Sequence, residues 1–445
     1  MGTFIMIAQL LIGLSLLVGL HELGHLLAAK MFGIKVEKFS IGFGPRIVGF
    51  TYKETEYVIA PIFLGGYVKI AGIIDESMDT EHLNKEPEPW EYRAKPAWQR
   101  LIVMMGGIIV NVVTGIIVFI CITYFYGEKY IPAQDLKDGI VVGSIGKEIG
   151  LKTGDKLIKV NGEKVQKFGE FRSKIITQRN STYTIERDGK EMTLKIPNNF
   201  LDKLVSMKDG NQLFLPRARY DIAKVTEGKG AAKAGLKKGD KIVSVNGQPT
   251  LLFDQLTDVL QKNQGKKVDV TIERNGKTQE YKQVAVDTSG YLGFKVNSLL
   301  PKERQTFSFG ASIGIGTFKA FNVVVQQVQV FGRIFKSDAS ASKSLSGPIG
   351  IAKFFGDTWI PERFWRLVGL LSMVLAFMNF LPIPALDGGH VMFLTYEIVS
   401  GRPPAERFLI ISQNIGMILL IGLMAFAIIN DILKQFSTCS PPSIL

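Results

Sequence analysis

The feature that most constrains this chain is a set of long stretches without charge. Leu101 to Tyr126 and Phe408 to Ile429 contain no acidic or basic residue. Phe4 to Leu20 is equally apolar and runs on through Ala29, while the shorter Leu367 to Leu381 ends in a proline cluster. About 20 apolar residues in a helix cross a bilayer core. Such runs cannot stay in water, so four transmembrane helices and contact with the lipid bilayer are expected. The first run lacks the small-residue cleavage site and preceding basic residue of a signal peptide, so it is read as a retained span.

Four spans place both termini on one side, together with the long stretch between the second and third. Lys30, Lys35, Lys38 and Arg46 follow the first span, and Arg93, Lys95 and Arg100 precede the second. The positive-inside tendency puts residues 30–100 in the cytoplasm and residues 127–362 and both termini outside it. The net charge of +13 is spread along the chain and mixed with acids. It fits attraction to anionic headgroups rather than nucleic acid, and no nucleic-acid partner is expected. Cys121 and Cys439 are the two cysteines, which excludes a disulfide framework.

The outer stretch repeats itself. Gly150-Leu-Lys-Thr-Gly-Asp-Lys-Leu-Ile-Lys-Val-Asn-Gly162 returns as Gly235-Leu-Lys-Lys-Gly-Asp-Lys-Ile-Val-Ser-Val-Asn-Gly247. Ile185-Glu-Arg-Asp-Gly-Lys190 returns as Ile272-Glu-Arg-Asn-Gly-Lys277. Two landmarks at nearly equal offsets predict two copies of one α+β domain. Each Gly-Asp turn leads into an alternating strand closed by Asn-Gly. The run resembles the PDZ domain, which implies peptide C-termini as possible partners; spacers that bind nothing are the alternative. Phe309 to Phe335 is read as an amphipathic helix against the membrane or the spans.

The chemistry sits in His21-Glu22-Leu23-Gly24-His25, at the end of the first span. Residues four apart share a helix face, so both imidazoles reach one metal, and Glu22 is placed to take a proton from an attacking water. Ionisable groups in an apolar span are costly and mark function. A third ligand must come from His82, His390 or a carboxylate. Asp387 follows Asn379-Phe-Leu-Pro-Ile-Pro-Ala-Leu, where Pro382 and Pro384 break the helix and Gly388 and Gly389 let the backbone turn. On residues alone, Asp387 serves equally well as a ligand or as the cap of a helix starting near His390.

The chain resembles the site-2 proteases, and the resemblance covers nearly its whole length. It rests on His21-Glu22-x-x-His25, Leu386-Asp387-Gly388 and the intervening PDZ-like copies. Phe39-Ser-Ile-Gly-Phe-Gly44, Gly65-Gly-Tyr-Val68 and Ser346-Gly-Pro-Ile349 extend it. In one departure, Gly107-Ile-Ile-Val-Asn111 lacks the proline of the family's second-span motif. The resemblance implies a zinc ion (Zn2+) held by His21, His25 and Asp387, with Glu22 as general base. It implies an intramembrane endopeptidase that cuts the membrane segments of single-span proteins, such as anti-sigma factors or signal-peptide remnants, with the PDZ copies filtering substrates. Thr55 to Ile70 is read as a re-entrant β-hairpin that pairs with an unwound substrate, and Gly65, Gly66, Tyr67, Asn379, Pro382 and Pro384 as substrate-binding. A zinc-dependent adaptor that binds spans without cutting is the other class; Glu22 argues against it.

The expected architecture is a polytopic α-helical membrane protein with four transmembrane helices, a membrane-associated β-hairpin and two extracytoplasmic PDZ domains. Its divisions are 1–30 with the first span, 31–100 with the hairpin at about 52–72, and 101–126 with the second span. The PDZ copies take 127–212 and 213–300, followed by a linker at 301–364, the third span at 365–389, and the fourth span with the tail at 390–445.

Overall fold

The computed structural model describes residues 2–73, 86–177, 181–197, 213–335 and 347–437. His82, Ser346, Cys439 and the tail beyond residue 437 lie outside the described residues. The described residues divide into two compact units, those within 2–127 and 306–436, and those within 128–305.

The first unit contains α1 (Gly2–Met31), α2 (Ala97–Tyr126), α7 (Phe309–Phe335), α8 (Pro348–Phe355), α9 (Pro361–Phe380), α10 (Asp387–Ser400) and α11 (Glu406–Ser437). Among the described residues four helices are long and apolar enough to cross a membrane: α1, α2, α9 and residues 407–432 of α11. Proline at the first position opens α9, and the Pro382 and Pro384 stretch prevents its continuation. α8 is capped across the unit, because Asp431 of α11 accepts the Gly347 and Gly350 amides at 3.0 and 2.8 Å. α7 is one continuous helix, with Ala320 and Val323 packed against Met373 of α9 and Val112 and Ile116 of α2.

The cytoplasm-assigned region differs from the expected hairpin. It is a four-stranded sheet of β1 (Val36–Phe43), β2 (Val48–Tyr52), β3 (Thr55–Ile59) and β4 (Ile62–Ile70) in the order β2-β3-β1-β4. β1 runs parallel to β3 and antiparallel to β4, so it lies between the two strands that were expected to pair. The reason is in the Phe39–Gly44 run, which is itself extended and inserts as the central strand. Gly42, at φ +93°, forms the bulge; a side chain there would meet the Ala60 carbonyl at 2.5 Å. Gly66 sets β4 against α1, with room for no more than a hydrogen between Ser40 and Val18.

The second unit contains two domains with the same plan. Strands β7 (Lys156–Val160), β8 (Glu163–Lys164), β9 (Thr182–Arg187) and β10 (Lys190–Lys195) form a sheet in the order β10-β9-β7-β8. Strands β13 (Lys241–Val245), β14 (Gln248–Pro249), β15 (Lys267–Arg274) and β16 (Lys277–Ala285) take the order β14-β13-β15-β16, which is the same sequence of neighbours. The helices are α3 (Ser144–Glu148) and α4 (Glu170–Thr177) in one, and α5 (Gly230–Ala234) and α6 (Phe253–Lys262) in the other. Each sheet has its own apolar core, around Tyr183 and Phe171 in the first and Ile222 and Val270 in the second.

The paired sequence landmarks meet in space. Buried Asp155 accepts both Arg187 Nε and Nη2 at 2.7 Å and the Lys152 amide at 2.8 Å. Asp240 accepts Arg274 Nε and Nη2 at 2.7 Å and the Lys237 amide at 2.7 Å. The hydrogen bonds to Asp155 and Asp240 hold the pKa of both guanidinium groups above its usual value. Burial raises the Tyr183 hydroxyl above the ordinary tyrosine range.

Candidate metal centre

The centre begins with two helices in backbone contact. A side chain on Gly24 of α1 would meet the Gly106 carbonyl at 2.2 Å, and one on Gly106 of α2 would meet the Gly24 carbonyl at 2.5 Å. One on Gly107 would strike His21 Cε1 and His25 Nε2 at 2.5 Å. Glycines at these positions therefore let α2 lie on the very face of α1 that carries the imidazoles.

That face is sealed, with His21 and His25 7% and 5% exposed. The rings meet edge-on with centroids 4.8 Å apart, and their Nε2 atoms are separated by 3.3 Å. His25 Nδ1–H donates to the Val103 carbonyl at 2.8 Å, which leaves Nε2 with its lone pair facing the centre. His21 Nδ1 faces the Asn111 amide at 3.1 Å.

The third group arrives from the break after α9. Ala385 holds φ +74°, a left-handed conformation that costs a non-glycine residue about 1–2 kcal/mol. This turn directs the chain into α10, which begins at Asp387 itself and not near His390. Gly388 and Gly389 do not supply the turn, contrary to the expectation above. Both lie in the first turn of α10, pressed against the Leu381 and Ile383 carbonyls, where a side chain would come within 2.2 and 2.6 Å. They act by close approach, and Ala385 does the turning.

Asp387 Oδ2 consequently lies 3.1 Å from His21 Nε2 and 3.4 Å from His25 Nε2. It is sealed from solvent and has no hydrogen bond of good geometry. One ligand atom from each of His21, His25 and Asp387 falls within 4.8 Å of the others. Two imidazole nitrogens and a carboxylate oxygen turned toward each other in a buried site make a donor set suited to a cation. This set of two imidazole nitrogens and one carboxylate oxygen fits zinc.

Of the other expected residues, Glu22 is half-buried on the same turn of α1. Asn379 joins the centre, its amide nitrogen 3.1 Å from His21 Nε2. Pro382 and Pro384 lie in the segment between α9 and α10, and Pro384 packs on Gly416 of α11. Gly65, Gly66 and Tyr67 are not part of the cluster. They lie on β4 beside α1, where Gly66 neighbours Val18, and Tyr67 stacks on Phe43 with ring centroids 6.1 Å apart. A cavity of about 490 Å³ lies against the backbone on either side of Asp387, lined by Pro384, Ala385, His390, Arg93, Arg100 and Glu397. Sequence reasoning missed the Val103 carbonyl, Gly24, Gly106 and Ala385. For the glycines a signal existed, since a Gly-Gly pair in an apolar helix marks close approach.

Apolar helices enclosing two imidazoles and a carboxylate, with a glutamate beside them, define a membrane metalloprotease of the site-2 type. The chain belongs to peptidase family M50, a family of zinc-dependent proteases, whose profile matches residues 9–423. The Regulator of sigma E protease of Haemophilus influenzae is 30% identical over 454 residues, covering 96% of this chain and 98% of its own. Regulator of sigma-E protease RseP of Escherichia coli K12 is 30% identical over 451 residues, with the same coverage. A putative zinc metalloprotease of Borreliella burgdorferi is 28% identical over 435 residues, covering 95% of this chain and 96% of its own.

Proposed function

We propose that the protein hydrolyses peptide bonds within the membrane segments of single-span proteins, using a zinc held by His21, His25 and Asp387. The convergence of these three side chains in a buried site carries the reading. A bound zinc would polarise the scissile carbonyl and make a water acidic enough to attack at neutral pH. Glu22 accepts the proton from that water and delivers it to the leaving nitrogen as the C–N bond breaks. Asn379, beside His21 Nε2, donates its amide hydrogen to the substrate backbone near the cut. The cavity lined by Pro384, Ala385 and His390 lies next to this region and is the proposed side from which water enters when the sealed centre opens.

A membrane helix must unwind before it is cut, and in lipid its freed amides and carbonyls need partners. β4 is the outer strand of its sheet and packs on α1, so its open edge is the strand to which the substrate adds, with Gly65, Gly66 and Tyr67 along it. Val48, Phe50 and Ile59 of the same sheet, and Ile47 just before β2, are exposed, as suits a sheet that dips into the bilayer. The two outer domains act as a PDZ-type filter that excludes substrates with bulky external parts. The relatives named for sigma-E regulation make a membrane-spanning regulator of a sigma factor the expected substrate class, in a bacterial inner membrane with residues 127–362 outside the cytoplasm.

The test is a panel of single-span proteins in vesicles with the purified chain, with fragments mapped by mass spectrometry. Cuts inside the spans by wild type and none by Glu22→Gln are expected. Cuts confined to soluble flanks, or unchanged in Glu22→Gln, would refute the reading.

A further inference from the structure

Asn111 has no role in the chemistry above, yet its side chain is wholly buried at the centre. Its amide nitrogen is 3.1 Å from His21 Nδ1, and its Oδ1 has no hydrogen-bond partner. Its backbone carbonyl accepts Ser372 Oγ of α9 at 2.7 Å, so the residue is pinned independently of its amide.

The two histidines are braced differently. His25 Nδ1 has a backbone carbonyl as partner, which accepts and never donates, so the neutral His25 ring presents a bare Nε2. His21 Nδ1 faces a carboxamide, which carries a donor and an acceptor of nearly equal size. Asn379 Nδ2 lies 3.1 Å from His21 Nε2 and can donate only to a bare Nε2, which puts the proton of the neutral ring on Nδ1. After a half-turn of the Asn111 amide, its Oδ1 accepts Nδ1–H and Nε2 is bare. A ligating imidazole needs an acceptor on its other nitrogen, and the unpartnered Oδ1 is the atom that can supply it.

We propose that Asn111 is a positioning residue of the zinc centre: its carboxamide oxygen accepts His21 Nδ1–H and so holds Nε2 bare toward the metal. The proposal rests on His21 being a ligand. Asn111 touches neither metal nor substrate in this scheme and acts only through His21. Leucine matches its volume without either polar atom, and aspartate keeps the acceptor alone, the commonest brace for a ligating histidine.

The experiment measures zinc affinity of the full-length chain in detergent against a chromophoric chelator, with the cobalt-substituted absorption spectrum as second readout. Asn111→Leu is expected to bind zinc about 10–100-fold more weakly, with an altered cobalt spectrum and an unchanged thermal midpoint without metal. Asn111→Asp is expected to bind at least as tightly as wild type and to release zinc more slowly. Wild-type affinity in Asn111→Leu, or equal weakening in both variants, would overturn the proposal. Should the leucine variant not fold, zinc release from Asn111→Asp no slower than wild type overturns it alone. His21→Ala separates the two claims: if it keeps wild-type zinc affinity, the ligand assignment itself has failed.

Discussion

Ala385 is the residue at which local strain and the site meet. Its φ of +74° is where glycine sits without penalty, and the turn it makes delivers Asp387 to the histidines. Ala385→Gly should raise the thermal midpoint of the zinc-free chain, with a gain of about 1 kcal/mol from relieved strain. Differential scanning calorimetry in detergent checks this; a lower midpoint would mean that the alanine methyl packs usefully. Asp387→Ala should remove one of the three proposed ligands and abolish both zinc retention and cleavage, read by metal analysis of the purified chain. Zinc bound in full by that variant would move the third ligand elsewhere.

Among the elements, the contact between α1 and α2 decides whether a centre exists. Gly107 leaves no space for a methyl group against His21 and His25. Gly107→Ala should therefore lower zinc content severely while the spans still insert, checked by metal analysis alongside circular dichroism. His21-Glu22-x-x-His25 was legible because its spacing is a property of one helix. The sheet order was not legible, because whether Phe39–Gly44 or Thr55–Ile59 pairs with β4 is decided by tertiary packing beside α1, which no local pattern encodes. The α10 start was missed by about three residues for a similar reason: two glycines after a proline cluster read as a flexible turn, whereas tight packing holds them in the helix.

For the molecule as a whole, a helical unit and a second unit carrying two like sheets correspond to the apolar runs and the repeated landmarks of the sequence. What the landmarks do was not legible, because Asp155 and Arg187 are 32 residues apart and meet only in the folded sheet. Removing the Asp155 charge leaves Arg187 with the Gly150 carbonyl and a neutral amide in place of the carboxylate, so Asp155→Asn should destabilise the first repeat domain by about 1–3 kcal/mol, measured as a lowered unfolding midpoint. That domain should also weaken in alkali. Buried Tyr183 keeps its proton when folded and loses it near pH 10 when unfolded, so stability is intact below about pH 10 and falls above it. Tyr183→Phe should flatten that fall.

The most direct test is zinc X-ray absorption on the purified full-length chain, compared with Asp387→Asn. The account predicts one zinc in a four-coordinate shell of nitrogen and oxygen at about 2.0–2.2 Å, with two imidazoles, and a loosened or lost shell in the variant. A sulfur ligand, a third imidazole, or an identical shell in Asp387→Asn would contradict it.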